Sequence, residues 1–262
     1  MKQRIVTAVI AAAAFLPIVL YGGWPFILLA YFMAVIGLTE ALKMKKIAPV
    51  SMPGLLSIFL LCIILMPDRL TAAVEQAGYD KLQLAALFAL LLLVYTVVSK
   101  NRFHFEDAGF CVLAALYVGF GFYYFIETRE AGAIFVFFAL FITWATDSGA
   151  YFVGRSFGKR KLWPEISPKK TVEGSIGGIL SAVIVACIIA LLADMGTPLL
   201  KLLIATAILS IFGQLGDLAE SALKRYYGVK DSGTLLPGHG GILDRTDSWL
   251  FVFPLVHLLH LV

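Results

Sequence analysis

The sequence predicts an all-α integral membrane protein, a polytopic bundle of about nine transmembrane helices. Hydrophobic residues make up 60% of the 262 residues, charged residues only 15%, and the mean hydropathy is +0.90. A soluble globular chain is roughly 45–50% apolar and about 25% charged. Apolar runs of about 18 residues or more recur, and each is long enough to cross a bilayer as a helix. We therefore expect a single membrane domain over residues 1–262, with N-terminal helices in 1–130 and the polar motifs in 131–262.

Nine apolar runs define the predicted spans in chain order. They cover residues 5–21, 24–42, 49–66, 82–98, 108–126, 132–153, 175–193, 199–223 and 246–262. The first run follows Met-Lys-Gln-Arg, and we interpret it as an uncleaved helix because no convincing small-x-small cleavage site follows it. The connecting segments are short, so the runs leave no room for a separate soluble domain.

Lysine and arginine residues divide unevenly between the two sides of the membrane. With the N-terminus in the cytoplasm, 17 of the 21 fall in cytoplasmic segments and four fall on the other side. Positive residues concentrate in the cytoplasmic loops of membrane proteins. The asymmetry therefore predicts a cytoplasmic N-terminus in the cell membrane, with the charged loops 154–174 and 224–245 on the cytoplasmic face.

Polar side chains follow one face of the eighth span towards its end. Gln214, Asp217, Ser221 and Lys224 recur at helical spacing, and Arg225 comes directly after them. A charged side chain deep in the bilayer costs at least about 2.5–3.5 kcal/mol. The stripe must therefore face protein or a wet cavity. A structural ion-pair network would explain the stripe alone, but the loop that follows favours a binding or reacting site.

A glycine-rich turn, Pro-Gly-His-Gly-Gly at 237–241, lies in that loop. Glycine permits backbone conformations closed to other residues, so N–H groups around Gly238, Gly240 and Gly241 can converge on a phosphate. His239 fits two roles, proton carrier or hydrogen-bond donor to a phosphate, and we favour the donor. The turn is typical of a phosphate-binding site.

Charged residues follow the turn at the start of the last span. Asp217 and Asp244 come from different helix ends and can share one Mg²⁺, which proteins usually hold with one or two carboxylates, water and substrate phosphates. Asp247 and the other nearby carboxylates leave room for a second cation. Arg225 and Arg245 suit phosphate oxygens. We therefore expect a magnesium-dependent site for a phosphorylated substrate.

Hydroxyl and ammonium groups gather in the loop between the sixth and seventh spans. Ser167, Lys169, Lys170 and Thr171 lie there, directly before a helix that opens with glycines. The N-terminus of a helix favours anions. A cytoplasmic basic loop without a ligand would account for the cations alone, but the combination predicts substrate-binding residues.

These motifs together resemble the signature of the phosphatidate cytidylyltransferase family, also called CDP-diacylglycerol synthases. The resemblance rests on Ser221-Ala-Leu-Lys224-Arg225, Lys230-Asp231, the 237–241 turn and Asp244-Arg245-Thr-Asp247, all at the expected spacing. Segments 147–151 and 166–174 also resemble the bacterial members. The match is highly specific, but it covers only about 100 residues of the C-terminal half.

The resemblance implies that CTP and phosphatidate react to give CDP-diacylglycerol and pyrophosphate with the help of Mg²⁺, and that 131–262 is the catalytic half. It implies catalytic roles for Asp217, Lys224, Arg225, His239, Asp244, Arg245 and Asp247. It implies substrate contacts for Ser167, Lys169, Lys170, Thr171, Ser221, Gly238, Gly240 and Gly241. The implied metal ligands are Asp217 and Asp244.

Two other functions stay open at this stage. A CTP-dependent kinase of a polyprenol or phytol would transfer the γ-phosphate to an alcohol, but the close fit through 221–247 argues against it. An ion-coupled transporter could use Asp147 and Asp217 as ion sites, but no two-half repeat is visible. We expect the two substrates and membrane lipid as partners, and no nucleic acid. A homodimer, the acyl-chain preference and the cytosine contacts are left open.

Overall fold

The structure is a computed structural model that describes residues 2–235, 238 and 240–262. The chain forms two compact units, Met1–Glu127 with Asp231–Leu243, and Thr128–Lys230 with Asp244–Val262. The first unit thus takes in the segment around the glycine turn as well as the N-terminal helices. Helices dominate both units, which confirms the predicted all-α class.

Six helices have most of their residues in the first unit, and two of them begin at a capping side chain. In chain order they are α1 (Lys2–Tyr21), α2 (Gly23–Met44), α3 (Met52–Ile64), α4 (Asp68–Gln76), α5 (Lys81–Val98) and α6 (Phe105–Ala131), whose last residues enter the second unit. The Ser51 hydroxyl accepts a hydrogen bond from the first turn of α3, and Asp80 forms a capping box with Gln83 at the start of α5. The short α4 was not predicted, because it is amphipathic rather than apolar.

Aromatic packing joins α2 and α6 in the core of the first unit. Phe26, Phe122 and Phe125 are almost completely buried. The ring centroids of Phe26 and Phe125 are 4.7 Å apart, and those of Phe122 and Phe125 are 6.2 Å apart in an edge arrangement. Such tilted pairs add to the burial energy of the rings. They hold α2, which carries Glu40, in a defined position.

The second unit contains a hairpin that the sequence analysis did not predict. Its elements are α7 (Ala133–Phe157), β1 (Lys161–Trp163), β2 (Ser167–Thr171), α8 (Val172–Leu192), α9 (Leu199–Tyr226) and α11 (Trp249–Leu258), with α10 (Leu243–Thr246) leading into α11. The strands β1 and β2 pair antiparallel. The Thr171 hydroxyl then caps α8 by accepting a hydrogen bond of 3.1 Å from the Gly174 N–H. Strands this short carry too few residues to show an alternating pattern in the sequence.

Glycines let the backbones of α7 and α8 approach closely. A Cβ on Gly178 would lie 2.8 Å from the Thr146 carbonyl oxygen, and one on Gly174 would lie 2.7 Å from the Ala150 carbonyl oxygen. Small residues serve this purpose in many membrane helix pairs. The close contact brings Asp147 of α7 and the start of α8 to the same part of the unit.

We expect Gly178→Ala to destabilise the protein by about 1–3 kcal/mol, as overpacking does, because the atom it meets is a backbone oxygen that cannot rotate away. Gly109→Ala on α6 is the matched control, since nothing lies within 4 Å of the position that its Cβ would take. The control should be neutral or stabilise by up to about 1 kcal/mol. Thermal unfolding of both variants in one detergent measures the difference. Equal shifts would contradict the close-packing argument.

Six of the described helices are long and apolar enough to cross a membrane. They are α2, α5, α6, α7, α8 and α9. The apolar part of α1, Val9–Tyr21, and α3 are shorter apolar helices at the first and third predicted spans. The last predicted span is divided between α10 and the ten-residue α11, and a helix needs about 20 residues to span the bilayer. The count of nine spans therefore stays a prediction.

Candidate active site

A cavity of about 430 Å³ lies within the second unit. Its walls include Lys169, Lys170 and Thr171 of β2 and Asp217 of α9. The side chain of Asp147 on α7 also lines it. The fold thus brings the predicted substrate-binding segment and a predicted metal ligand together, although they lie far apart in the sequence.

Two side chains hold the Asp217 carboxylate at the cavity. The Lys170 Nζ lies 2.6 Å from Asp217 Oδ2, and both side chains remain partly exposed. The Ser221 hydroxyl, one helical turn later, donates a hydrogen bond of 3.3 Å to Asp217 Oδ1. The polar stripe of α9 therefore faces protein and a cavity, as its spacing predicts. Ser221 orients Asp217, and direct contact of Ser221 with substrate stays a prediction.

Negative charge accumulates around Asp217. Its carboxylate acts electrostatically on Asp147 of α7 and on Asp247, which lies between α10 and α11. Lys170 and Arg245 oppose this repulsion at Asp147. Clustered carboxylates that repel one another favour a bound cation or positively charged ligand.

A second charged cluster connects α9 with α10. The Lys224 Nζ lies 2.6 Å from Asp244 Oδ1 and forms an ion pair with Glu220 on the preceding turn. Glu220 is fully buried, and it is not among the predicted site residues. The Lys224 ammonium group is thus committed to two carboxylates. If Lys224 also contacts a substrate phosphate, as predicted, that phosphate must approach the ammonium group next to the Glu220 and Asp244 carboxylates.

Arg225 contacts the backbone of two loops in the second unit. Its Nε donates to the Ile166 carbonyl oxygen at 3.3 Å, and a terminal nitrogen donates to the Val229 carbonyl oxygen at 3.2 Å. Arg225 therefore links the end of α9 to the hairpin beside Ser167. Neither Arg225 nor Ser167 lines the 430 Å³ cavity, so the roles of both residues toward substrate stay predictions.

The residues at the site suit a metal ion that binds together with a phosphorylated ligand. Within the described ranges, no three His, Cys, Asp or Glu side chains are grouped so as to hold a metal ion by themselves. Asp217 and Asp244 instead pair with Lys170 and Lys224. Mg²⁺ commonly uses only one or two carboxylates and takes its other ligands from water and phosphate. Single carboxylates fit that mode, but Asp217 lines the cavity and Asp244 does not, so the assignment of one Mg²⁺ to both stays a prediction.

The glycine turn adopts the backbone conformations for which glycine is needed. Gly238 and Gly240 have φ angles of 80° and 86°, in the left-handed region. Pro237 and His239 lie outside the described residues. The role of His239, as proton carrier or as hydrogen-bond donor to a phosphate, therefore stays a prediction. The described part of the turn is compatible with converging N–H groups.

The backbone N–H groups that follow the turn donate hydrogen bonds to a carboxylate of the protein itself. The N–H groups of Ile242 and Leu243 donate to the Glu40 carboxylate at 3.0 and 2.9 Å, and the Ser232 hydroxyl donates to it at 3.0 Å. Glu40 is only 5% exposed. A Cβ on Gly241 would overlap this carboxylate. The close approach of Glu40 is therefore a structural reason for glycine at 241, and the contact of Gly241 with substrate stays a prediction.

The role of Glu40 in this arrangement is not evident from the sequence alone. The available signal was a carboxylate within an apolar helix, which must find a partner to remain charged. Its partners are backbone N–H groups and a hydroxyl about 200 residues later in the chain. No spacing rule connects a side chain with backbone groups at that separation.

Comparison with known proteins gives matches over the full chain. Residues 2–262 match the model of the cytidylyltransferase family. The chain is 54% identical to the phosphatidate cytidylyltransferase of Bacillus subtilis (strain 168), covering 99% of this chain and 97% of that protein. It is 50% identical to the Staphylococcus haemolyticus protein and 49% identical to the Staphylococcus aureus (strain COL) protein of the same name, each covering 99% of this chain and 98% of the relative. The chain belongs to the cytidylyltransferase family.

Proposed function

We propose that this chain is an enzyme that transfers the cytidylyl group of CTP to phosphatidate, yielding CDP-diacylglycerol and pyrophosphate. The observation that carries the proposal is the cavity in which Lys169, Lys170 and Asp217 meet at the end of an apolar helix. Similarity to phosphatidate cytidylyltransferases over 99% of the chain supports the same reaction.

The chemistry needs placement and charge neutralisation more than proton transfer. An oxygen of the phosphatidate phosphate attacks the α-phosphorus of CTP, the bond from that phosphorus to the bridging α–β oxygen breaks, and pyrophosphate leaves. The attacking phosphate is largely ionised near pH 7, so no strong general base is required. Both reactants are polyanions, and such transfers depend on positioned charges.

The described residues divide these tasks between them. Lys169 and Lys170 would bind phosphate oxygens in the cavity. Asp217 and Asp244 would hold the Mg²⁺, which supplies charge neutralisation on the nucleotide phosphates. Lys224 would keep the Asp244 carboxylate in place through their ion pair. The acyl chains of phosphatidate would stay in the bilayer beside the helices while CTP arrives from water.

Labelled CTP tests the reaction and separates it from a lipid kinase. Purified protein in mixed micelles with phosphatidate should incorporate label from α-labelled CTP into lipid and release it from γ-labelled CTP as pyrophosphate. A reaction without phosphatidate is the control. Incorporation of γ-label, or incorporation that needs an alcohol acceptor, would replace the proposal with a kinase, and no incorporation from either would reject it.

We also propose that the cavity opens on the cytoplasmic side, as the charge asymmetry predicts. In a variant lacking Cys62, Cys111 and Cys187, we expect Ser156→Cys to resist a membrane-impermeant thiol reagent in intact cells and to react in inside-out vesicles. Gln76→Cys in α4 is the control on the opposite side and should show the reverse. Both positions are exposed. If both cysteines showed the reverse pattern, the protein would have the opposite orientation in the membrane and the proposal would be wrong.

A further inference from the structure

A second cavity, of about 650 Å³, lies entirely within the first unit. It is formed where α2 and α5 end and where α3 and α6 begin. Four cationic residues line it, two from the connection after α2 and two from the connection after α5: Lys45, Lys46, Lys100 and Arg102. The reaction proposed above makes no use of this cavity.

The positive charge of this cavity is largely unneutralised. Asp107 is the one acidic residue in its lining, and its carboxylate is engaged by the Lys45 Nζ at 2.9 Å. Within the described part of the chain, the side chains of Lys46, Lys100 and Arg102 have no ion pair or hydrogen bond. Three cations thus border one cavity without a protein anion, an arrangement that favours an anionic ligand.

The backbone at two of these lysines adds an independent observation. Lys46 and Lys100 occupy the same position after α2 and α5, each with a positive φ, 63° and 55°. The hydrogen bonds around both form the Schellman pattern, which normally ends in glycine. The equivalent positions after α4 and α9 are Gly78 and Gly228, and the one after α11 is His260 with a φ of 51°. A left-handed conformation is unfavourable for a residue with a Cβ, so lysine is present at a cost that glycine would avoid.

We propose that this cavity binds the phosphate group of an anionic phospholipid, separately from the substrates of the proposed reaction. A phosphodiester matches the cluster of Lys and Arg side chains. Apolar side chains are exposed here: Val98, which lines the cavity, is 68% exposed, and Met52, between the lining residues Ser51 and Pro53, is 58% exposed. They would contact the acyl region of a lipid, which favours a membrane lipid over free phosphate.

The cap positions allow a test in which lipid binding weakens without a loss of stability. In the full-length protein, Lys46→Gly/Lys100→Gly relieves the left-handed strain and removes two charges. We expect its thermal unfolding temperature in neutral detergent to rise or stay the same. We expect its binding of phosphatidylglycerol, measured by native mass spectrometry against phosphatidylcholine, to weaken at least about tenfold. Arg102→Gln should weaken binding without changing either cap.

Lys43→Gln is the matched control, because Lys43 is exposed in the same basic run but does not line the cavity. It should bind phosphatidylglycerol like the unmodified protein. If Lys43→Gln weakened phosphatidylglycerol binding equally, the lipid would be attracted by the general positive charge of this surface, and the proposed site would be wrong. Unchanged binding in the double variant would also overturn it. If millimolar inorganic phosphate alone displaced the lipid, the ligand of the cavity would be free phosphate and the lipid proposal would be wrong.

Discussion

Asp217→Asn and Asp244→Asn are each expected to lower turnover by at least about a hundredfold, the scale on which a preorganised charge-stabilising group contributes. Asparagine keeps the size of each side chain but removes the negative charge that would hold Mg²⁺. Initial rates at saturating CTP and phosphatidate, measured across a Mg²⁺ titration, give the result. Thermal unfolding of each variant checks that it remains folded.

Two controls separate a metal role from an ion-pair role. Asp194→Asn changes an exposed carboxylate in the connection between α8 and α9 and should leave the rate unchanged. Lys170→Met removes the partner of Asp217, and if Asp217 only held Lys170, both variants would show the same loss and the same Mg²⁺ dependence. A metal role instead predicts that the Mg²⁺ requirement changes in Asp217→Asn but not in Lys170→Met. Near-normal activity in either aspartate variant would remove that residue from the metal site.

Glu40→Ala is expected to cause the second large loss. It leaves the buried N–H groups of Ile242 and Leu243 without their acceptor, and each unsatisfied donor costs about 1–3 kcal/mol. Leu243 begins α10 and directly precedes Asp244, so the backbone that leads to a proposed metal ligand loses its anchor. We expect a lower unfolding temperature and a fall in kcat larger than the change in the KM for CTP.

Glu40→Gln provides the conservative comparison, because its amide oxygen can still accept one of the two N–H hydrogen bonds. It should recover part of both the stability and kcat. Gly241→Ala should resemble Glu40→Ala, since its Cβ would overlap the carboxylate from the other side. If Glu40→Ala has normal stability and normal kcat, the turn is held by other contacts and Glu40 has no positioning role.

The helices and the family could be read from the sequence because both depend on local patterns. Long apolar runs form helices wherever a bilayer is the solvent, so α2 and α5 to α9 fall where the runs predict them. The residues of the 221–247 signature lie close together in the sequence and could be recognised by their spacing. The stripe through Asp217 and Ser221 likewise follows from helical periodicity alone.

The hairpin and the partners of the charged groups could not be read in this way. Strands β1 and β2 together contain eight residues, too few for a periodic signal. The sequence shows that Asp217 and Lys170 are ionisable, but not that they form a 2.6 Å ion pair. Glycines at 174 and 178 could be assigned to a helix start, whereas their contact with α7 is a property of two packed helices.

The sequence by itself therefore determined the membrane class, the helical segments, the family and the kinds of residue available for phosphate and metal. The tertiary structure alone decided which of them meet: Lys170 with Asp217, Lys224 with Asp244 and Glu220, and Glu40 with the backbone after the glycine turn. The physical reason is range. Hydropathy and helical spacing act over a few turns of chain, whereas an ion pair or a buried carboxylate acts between groups that only packing brings within about 3 Å.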